Sequence, residues 1–239
     1  MADRFFAPDL PKNGLIRLEG DEARHLARVA RRQVGDLVEI FSGNGDGFLA
    51  QVMEIHKDHV DLAVREPVID RRAALELTLL VAPPKGDRFD WIVEKATELG
   101  VCRLIPILCD RSVVDPRLSK IERLKRVVIE STKQCGRNQL MTLDRPAAFS
   151  SVVSLGANTS RLFADAGGIS PQFWPKFSAN DQVSLAIGPE GGWTDEERQV
   201  ALDAGWIAVG LGQTRLRVET AAIAGVAIVF SRLILEDGS

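Results

Sequence analysis

From Leu75 onward the chain alternates short apolar runs with stretches of helical period, and this rhythm constrains the fold more than any other feature. LELTLLVAPP reads as a strand closed by Pro83 and Pro84. Phe89, Ile92, Val93, Ala96 and Leu99 then recur at helical spacing, and Gly100 supplies a stop. VCRLIPILC is the next strand, and Leu118, Ile121, Leu124, Val128 and Thr132 line a helix running to Gly136. SRLFAD, VSLAIGP and WIAVGLG give three further strands, with helices after the second and third. Such alternation predicts an α/β domain, a mostly parallel sheet between helices, with ligands outside the carboxyl ends of the strands.

The first part of the chain, Met1 to about Arg72, has a different texture. One helix, Asp21 to Arg32, carries a capping Asp21, Glu22 in its first turn and Arg31 and Arg32 in its last. LVEIF, FLAQVMEI and VDLAVRE follow as strands joined by the SGNGDG and HKDH turns, which predicts a small antiparallel sheet or barrel. Glu66 to Ala74, with Pro67 and an arginine pair, reads as a linker. With 239 residues, two domains, 1–72 and 73–239, are the expectation.

Lys and Arg number 30 against 33 Asp and Glu, so the chain is not an obligately basic binder, although a local patch suffices to meet phosphates. Cys102, Cys109 and Cys135 are odd in number and have no C-x-x-C spacing, which speaks against a disulfide framework and a zinc site. The N-terminus lacks a signal-peptide pattern, and the most apolar stretch, Ala221 to Phe230, is too short to span a bilayer. A soluble cytoplasmic protein with no membrane partner and no metal is expected.

The strand ends to inspect are PPKGDR, FADAGG, IGPEGG and LGQTRLRVETAA. No G-x-G-x-x-G or G-x-x-x-x-G-K-[ST] cradle follows a strand, and Gly43, Gly45 and Gly47 lie in a hairpin turn. In LAIGPEGGWTDEE, Gly188, Gly191 and Gly192 form either a tight strand-to-helix turn or a place where backbone meets a ligand. Thr194 and Glu197 make a capping box just after it. A second glycine-rich strand end, Gly210 and Gly212 before Leu216, Arg217 and Glu219, favours a pocket.

IGPEGGWTDEE followed by LG-x-x-x-LR-x-ETA resembles the RsmE family of ribosomal-RNA uridine-N3 methyltransferases, of the SPOUT class. The likeness extends over nearly the whole chain, through RFF at Arg4 to Phe6, HLARVAR from His25, EKATELGV from Glu94 and QCGRN from Gln134. Arg215 departs from the pattern, standing where an aliphatic residue is expected. The resemblance implies an N-terminal PUA-like barrel for RNA and a C-terminal SPOUT-type parallel-sheet domain with a trefoil knot, which the sequence pattern itself does not suggest. It further implies S-adenosyl-L-methionine as cofactor, 16S ribosomal RNA or the assembled small subunit as partner, and a homodimer.

On that resemblance the cofactor is held by Ala164, Ile187, Gly188, Pro189, Glu190, Gly191, Gly192, Leu211, Gly212, Leu216 and Arg217, with Leu211 and Leu216 as apolar walls. Transfer to the uridine ring nitrogen needs positioning, a cation for the charge developing on uracil oxygens, and a proton acceptor. Arg217 and Glu219 are the candidates for these catalytic tasks; they could equally form an ion pair that holds the loop, and Glu190 could serve the next helix. For RNA, the basic segment Arg24, His25, Arg28, Arg31 and Arg32 is the first candidate, with 24, 28 and 31 on one helical face; a solvated basic face is the alternative. Arg4, Lys85, Lys95, Arg137 and Asn138 extend the RNA surface by resemblance. His56 and His59, without a third ligand nearby, read as solvated turn residues, and the apolar last helix, Thr220 to Leu235, serves either a dimer or its own core.

Overall fold

A computed structural model describes residues 3–9, 13–70, 74–116, 118–154 and 159–234. Two compact units emerge: Met1–Arg72 with Ile129–Leu140, and Ala73–Val128 with Met141–Ser239. The first contains β1 (Arg4–Phe6), β2 (Leu15–Glu19), α1 (Gly20–Arg24), a π-helical turn (His25–Val29), β3 (Leu37–Phe41), β4 (Gly47–Ile55) and β5 (His59–Pro67). The second contains β6 (Glu76–Val81), α2 (Arg88–Glu98), β7 (Arg103–Leu108), most of α3 (Leu118–Cys135), β8 (Thr142–Leu143), β9 (Ala147–Ala148), α4 (Phe149–Val152) and β10 (Ser160–Ile169). β11 (Gln182–Ile187), α5 (Asp195–Asp203), β12 (Ile207–Val209) and α6 (Val218–Ser231) complete it.

In the first unit the strand order is β1-β3-β4-β5-β2, with β1 and β3 parallel and the other pairs antiparallel. Alternate residues turn inward, as the two-residue period of a strand requires: Ile16 and Leu18, Val38 and Ile40, Ala50 and Val52, Val60 and Leu62. Phe5 and Leu26 close this core. The three expected strands correspond to β3, β4 and β5. The short β1 and β2 join them because pairing satisfies their backbone, which three and five residues of pattern could not announce.

The single helix expected from Asp21 to Arg32 is corrected. α1 begins at Gly20, its N-cap Glu19 makes no side-chain cap bond, and at His25 it passes into the π turn, where the Ala30 N–H donates to the His25 carbonyl at 2.9 Å. Arg31 lies beyond the turn with φ 52°, in the left-handed region. A wider turn breaks the 3.6-residue spacing that would put Arg24, Arg28 and Arg31 on one face. Asn138 is fully buried in this unit: it accepts from Arg4 Nη2 at 2.7 Å, donates to the Val68 carbonyl at 3.1 Å, and its N–H donates to Asp70 Oδ1 at 2.7 Å. It thereby ties the chain after α3 to β1 and to the end of β5.

The second unit holds the expected parallel sheet, in the order β12-β10-β11-β6-β7-β8, with β9 paired to β7. β6 and β11 are almost wholly buried because both faces are covered. On one face Leu80, Ala82, Ile105, Ile107 and Ala186 pack with Phe149 and Val152 of α4 and Ala201 of α5. On the other, α6 lies on β6 and β11 so closely that a Cβ on Gly225 would stand 2.8 Å from Leu185 Cδ2. Leu235, the expected end of that helix, lies outside the described residues, and β8, β9 and α4 were too short for sequence periodicity.

Candidate functional site

Parallel register brings the ends of β11 and β12 level on either side of β10. Ala164 of β10 pairs with Ile187 of β11 on one side and Val209 of β12 on the other, so the two glycine loops leave the sheet beside the same central strand. Arg215 Nη2 donates to the Glu190 carbonyl at 3.3 Å, linking those loops directly. This gives the residue that departs from the family pattern a definite contact. The first turn of α2 meets that of α6 at Glu219: Arg88 Nε lies 3.7 Å from Glu219 Oε1, while Glu219 Oε2 is buried and has no hydrogen-bond partner.

The turn Gly188–Gly192 is shaped chiefly by the protein's own side chains. A Cβ at Gly188 would fall 2.7 Å from Trp193 Cε2, and one at Gly191 would fall 3.0 Å from Arg111 Cβ. Trp193 is buried, donates from Nε1 to the Ala164 carbonyl at 2.8 Å, and meets Phe149 with ring centroids 4.7 Å apart. Only Gly192 demands glycine for backbone reasons: its φ is 71°, and its N–H closes the turn to the Pro189 carbonyl at 2.8 Å. The expectation that Gly188 and Gly191 make room for a ligand is therefore revised; they make room for Trp193 and Arg111.

Two neighbouring anchors fix the far end of this turn. Thr194 accepts from the Glu197 N–H and Glu197 from the Thr194 N–H, the capping box read in the sequence. Glu197 also accepts from the Asp110 N–H at 2.9 Å. Arg111, two residues further from β7 than Cys109, spans the turn by donating from Nη1 to the Gly191 carbonyl at 3.1 Å and the Trp193 carbonyl at 3.2 Å. At the end of β10, Asp165 is ion-paired with Arg198 of α5 at 2.7 Å. Burial alone would raise its carboxyl, but the Arg198 hydrogen bond and the Gly167 N–H outweigh it and hold the group below the ordinary carboxylate value.

Among the cofactor candidates, Ile187 and Pro189 are buried, Leu211 and Leu216 are half-buried, and Glu190 and Gly212 are exposed. Of the catalytic pair, Arg217 is exposed and its side chain makes no hydrogen bond or ion pair among the described residues, whereas Glu219 faces Arg88. The Arg217–Glu219 pair considered from sequence does not form. Arg88 and Arg111 were missed: Arg88 closes the PPKGDR segment, of which only Lys85 was singled out, and Arg111 follows β7 outside any inspected strand end. Burial and the neighbouring Glu197 push the Cys109 thiol well up.

The RNA candidates divide. Arg28 and Arg31 are exposed and unpaired among the described residues; Arg24 is paired with Asp21, and Arg32 with Asp3 at 2.8 Å. His25 packs edge-on against Phe5. Arg4, Arg137 and Asn138 are buried, and Arg4 donates to the Arg137 carbonyl and to the Asn138 side chain. In the second unit Lys85 is exposed, and Lys95 is flanked by Glu94 and Glu98, both at 2.8 Å. The view of His56 and His59 is corrected too, because Asp61 stands beside both.

Comparison with known proteins agrees with this geometry. Residues 71–230 match an RNA methyltransferase domain and residues 18–65 an RNA methyltransferase PUA domain. A ribosomal RNA small subunit methyltransferase E of Synechocystis is 32% identical over 227 residues, covering 92% of this chain and 74% of the relative. The chain belongs to this family. The protein of the same description from Rickettsia conorii is 31% identical, covering 92% of this chain and 91% of its own. A ribosomal RNA small subunit methyltransferase E of Neisseria gonorrhoeae, solved bound to S-adenosyl methionine, superposes with a TM-score of 0.87 at 26% identity, covering 95% and 96% of the two chains. The methyltransferase E family therefore accounts for both units, the PUA match in the first and the parallel sheet in the second.

Proposed function

We propose that this methyltransferase E family member transfers the methyl group of S-adenosyl-L-methionine to N3 of a uridine in small-subunit (16S) ribosomal RNA. The observation that carries the reading is the meeting of two glycine loops at level strand ends, fastened by Arg111, Arg215 and Trp193, with an exposed unpaired cation, Arg217, beside them. These residues fit a ligand that brings its own hydrogen-bond donors, since Glu219 Oε2 is buried without a partner. The backbone at Gly192 and Gly212 also has open space where a side chain would stand.

The cofactor supplies a methyl group on a sulfonium, a good leaving group for in-line displacement. The chain supplies orientation, through loops whose conformation is fixed before the ligand arrives. Arg217 stabilises charge developing on a uracil oxygen, and Glu219 takes the N3 proton on Oε2. Arg88 positions Glu219 through Oε1 and leaves Oε2 for that task. Exposed Arg28 and Arg31, with Arg24, Arg32 and Lys85, meet phosphates.

The same reading makes the protein a cytoplasmic homodimer with a knotted C-terminal segment. The α6 side formed by Ile223, Ala224, Ala227 and Ile228 is apolar and partly exposed, a surface suited to a second copy. No helix among the described residues is long and apolar enough to cross a membrane. Calorimetric titration with S-adenosyl-L-methionine tests the site: saturable binding, lost when Leu211 and Leu216 are both replaced by Asp, is expected. Absence of binding heat at millimolar ligand would defeat the reading.

A further inference from the structure

The β4–β5 hairpin carries a cluster that the methyl-transfer chemistry does not use. His56 and Glu54 are two residues apart at the end of β4, and His59 and Asp61 two apart at the start of β5; Glu54 and Asp61 face each other in the strand register. The two-residue strand period therefore sets all four side chains on one face of the hairpin. The imidazole rings are stacked, with centroids 4.3 Å apart and planes 18° from parallel. Asp61 Oδ2 is 3.9 Å from His56 Nε2 and 3.7 Å from His59 Nε2, and Glu54 Oε2 is 3.0 Å from His56 Nε2.

Protonation sharpens the geometry. His59 Nδ1 lies 2.8 Å from Asp58 Oδ1, and a carboxylate there only accepts, so Nδ1 carries the hydrogen. In the neutral ring Nε2 then presents a lone pair toward Asp61. A lone pair facing a carboxylate is unfavourable unless a proton or a metal cation lies between them. A carboxylate on the remote nitrogen is also the usual way to orient a metal-binding histidine. On the other side of Asp61, Arg17 donates from Nε to Oδ1 at 2.8 Å and from Nη2 to Oδ2 at 3.1 Å, fixing the carboxylate's direction.

We propose that His56, His59 and Asp61 bind a divalent transition metal of the zinc class, with solvent completing its shell, and clip β4 to β5. Metal–nitrogen and metal–oxygen bonds of about 2.0–2.2 Å place tetrahedral donors about 3.3–3.6 Å apart, so closure needs shifts of only a few tenths of an ångström at the Asp61 pairs. Two imidazoles and a carboxylate suit zinc, cobalt and nickel and are a poor set for calcium or magnesium, which take oxygen. The neighbouring Arg17 cation opposes the metal's charge, so binding is moderate, not of the strength of a structural thiolate site. This clip stands independently of the methyltransferase reading.

The full-length protein, freed of metal with a chelator, is titrated with cobalt(II) and with zinc. One equivalent per chain is expected, with the visible absorption of tetrahedral cobalt and no thiolate charge-transfer band. His56→Ala and His59→Ala each weaken binding at least about tenfold, and Asp58→Asn weakens it about 10–100-fold by releasing the ring tautomer. The substituted positions lie at a partly exposed turn, and unchanged metal-free circular dichroism and melting temperature establish that the variants fold. Zinc raises the melting temperature of the parent protein and not of His56→Ala. No binding, a cysteine-type spectrum, or affinity unchanged in the folded histidine variants would overturn the proposal.

Discussion

Gly188→Ala tests the account of the glycine turn most sharply. The added Cβ would stand 2.7 Å from Trp193 Cε2 and 3.0 Å from Cδ2 and Nε1, whereas carbon atoms pack at about 3.5–4.0 Å, so the indole must retreat by roughly 1 Å. It has little room, being 3% exposed and set against Phe149 and Phe163. Overpacking of this kind costs about 1–3 kcal/mol. Moving the ring also stretches the 2.8 Å bond from Nε1 to the Ala164 carbonyl, for about 1 kcal/mol more. The total, about 2–4 kcal/mol, lowers the melting temperature by roughly 4–16 °C at 2–4 °C per kcal/mol for a chain of this size. Differential scanning calorimetry reads this directly, and tryptophan fluorescence reports the displaced ring. A variant melting within about 2 °C of the parent, with an unchanged spectrum, would refute the packing argument.

Other outcomes follow from the same contacts. Arg111→Ala removes both carbonyl contacts that span the turn; cofactor dissociation constants measured by calorimetry should rise about 5–30-fold, for a loss of about 1–2 kcal/mol, with a smaller effect on melting. Arg217→Ala should lower kcat about 10²–10³-fold at saturating RNA and cofactor while cofactor affinity holds, and normal turnover would remove Arg217 from the chemistry. Arg28→Ala and Arg31→Ala should each reduce by about one the slope of log affinity for 16S RNA against log salt, and an unchanged slope would take them off the phosphate surface. Because the folded Asp165 carboxyl is depressed, its stabilisation is complete above its ordinary value of 3.8 and is lost as pH falls through the lower folded value. Melting curves of Asp165→Asn should therefore change less between neutral and strongly acidic pH than those of the parent.

Much of the second unit was legible because its signals are long or chemically specific. The largely apolar β6 and β11, the helical spacing of Phe89 to Ala96 and the Thr194–Glu197 capping box all appear as the residues predict. The first unit hid more. A π turn follows no 3.6-residue pattern, and burial of Arg4 and Asn138 depends on partners more than 130 positions apart. Gly188 and Gly191 were rightly singled out, but sequence could not tell a ligand from Trp193 or Arg111 as the reason for the missing side chain. Arg88 and Arg111 escaped because their partners, Glu219 and the carbonyls of Gly191 and Trp193, lie far along the chain. The His56, His59 and Asp61 cluster could have been found by extending two-residue alternation through the hairpin.

The most direct test of the central claim is nucleoside analysis after incubating the purified protein and S-adenosyl-L-methionine with small ribosomal subunits, or their 16S RNA, lacking the modification. The account predicts one new N3-methyluridine per RNA, its formation suppressed by Arg217→Ala. Methyl transfer to a ribose hydroxyl or to another base, or none at all from protein that binds both cofactor and RNA, would contradict it.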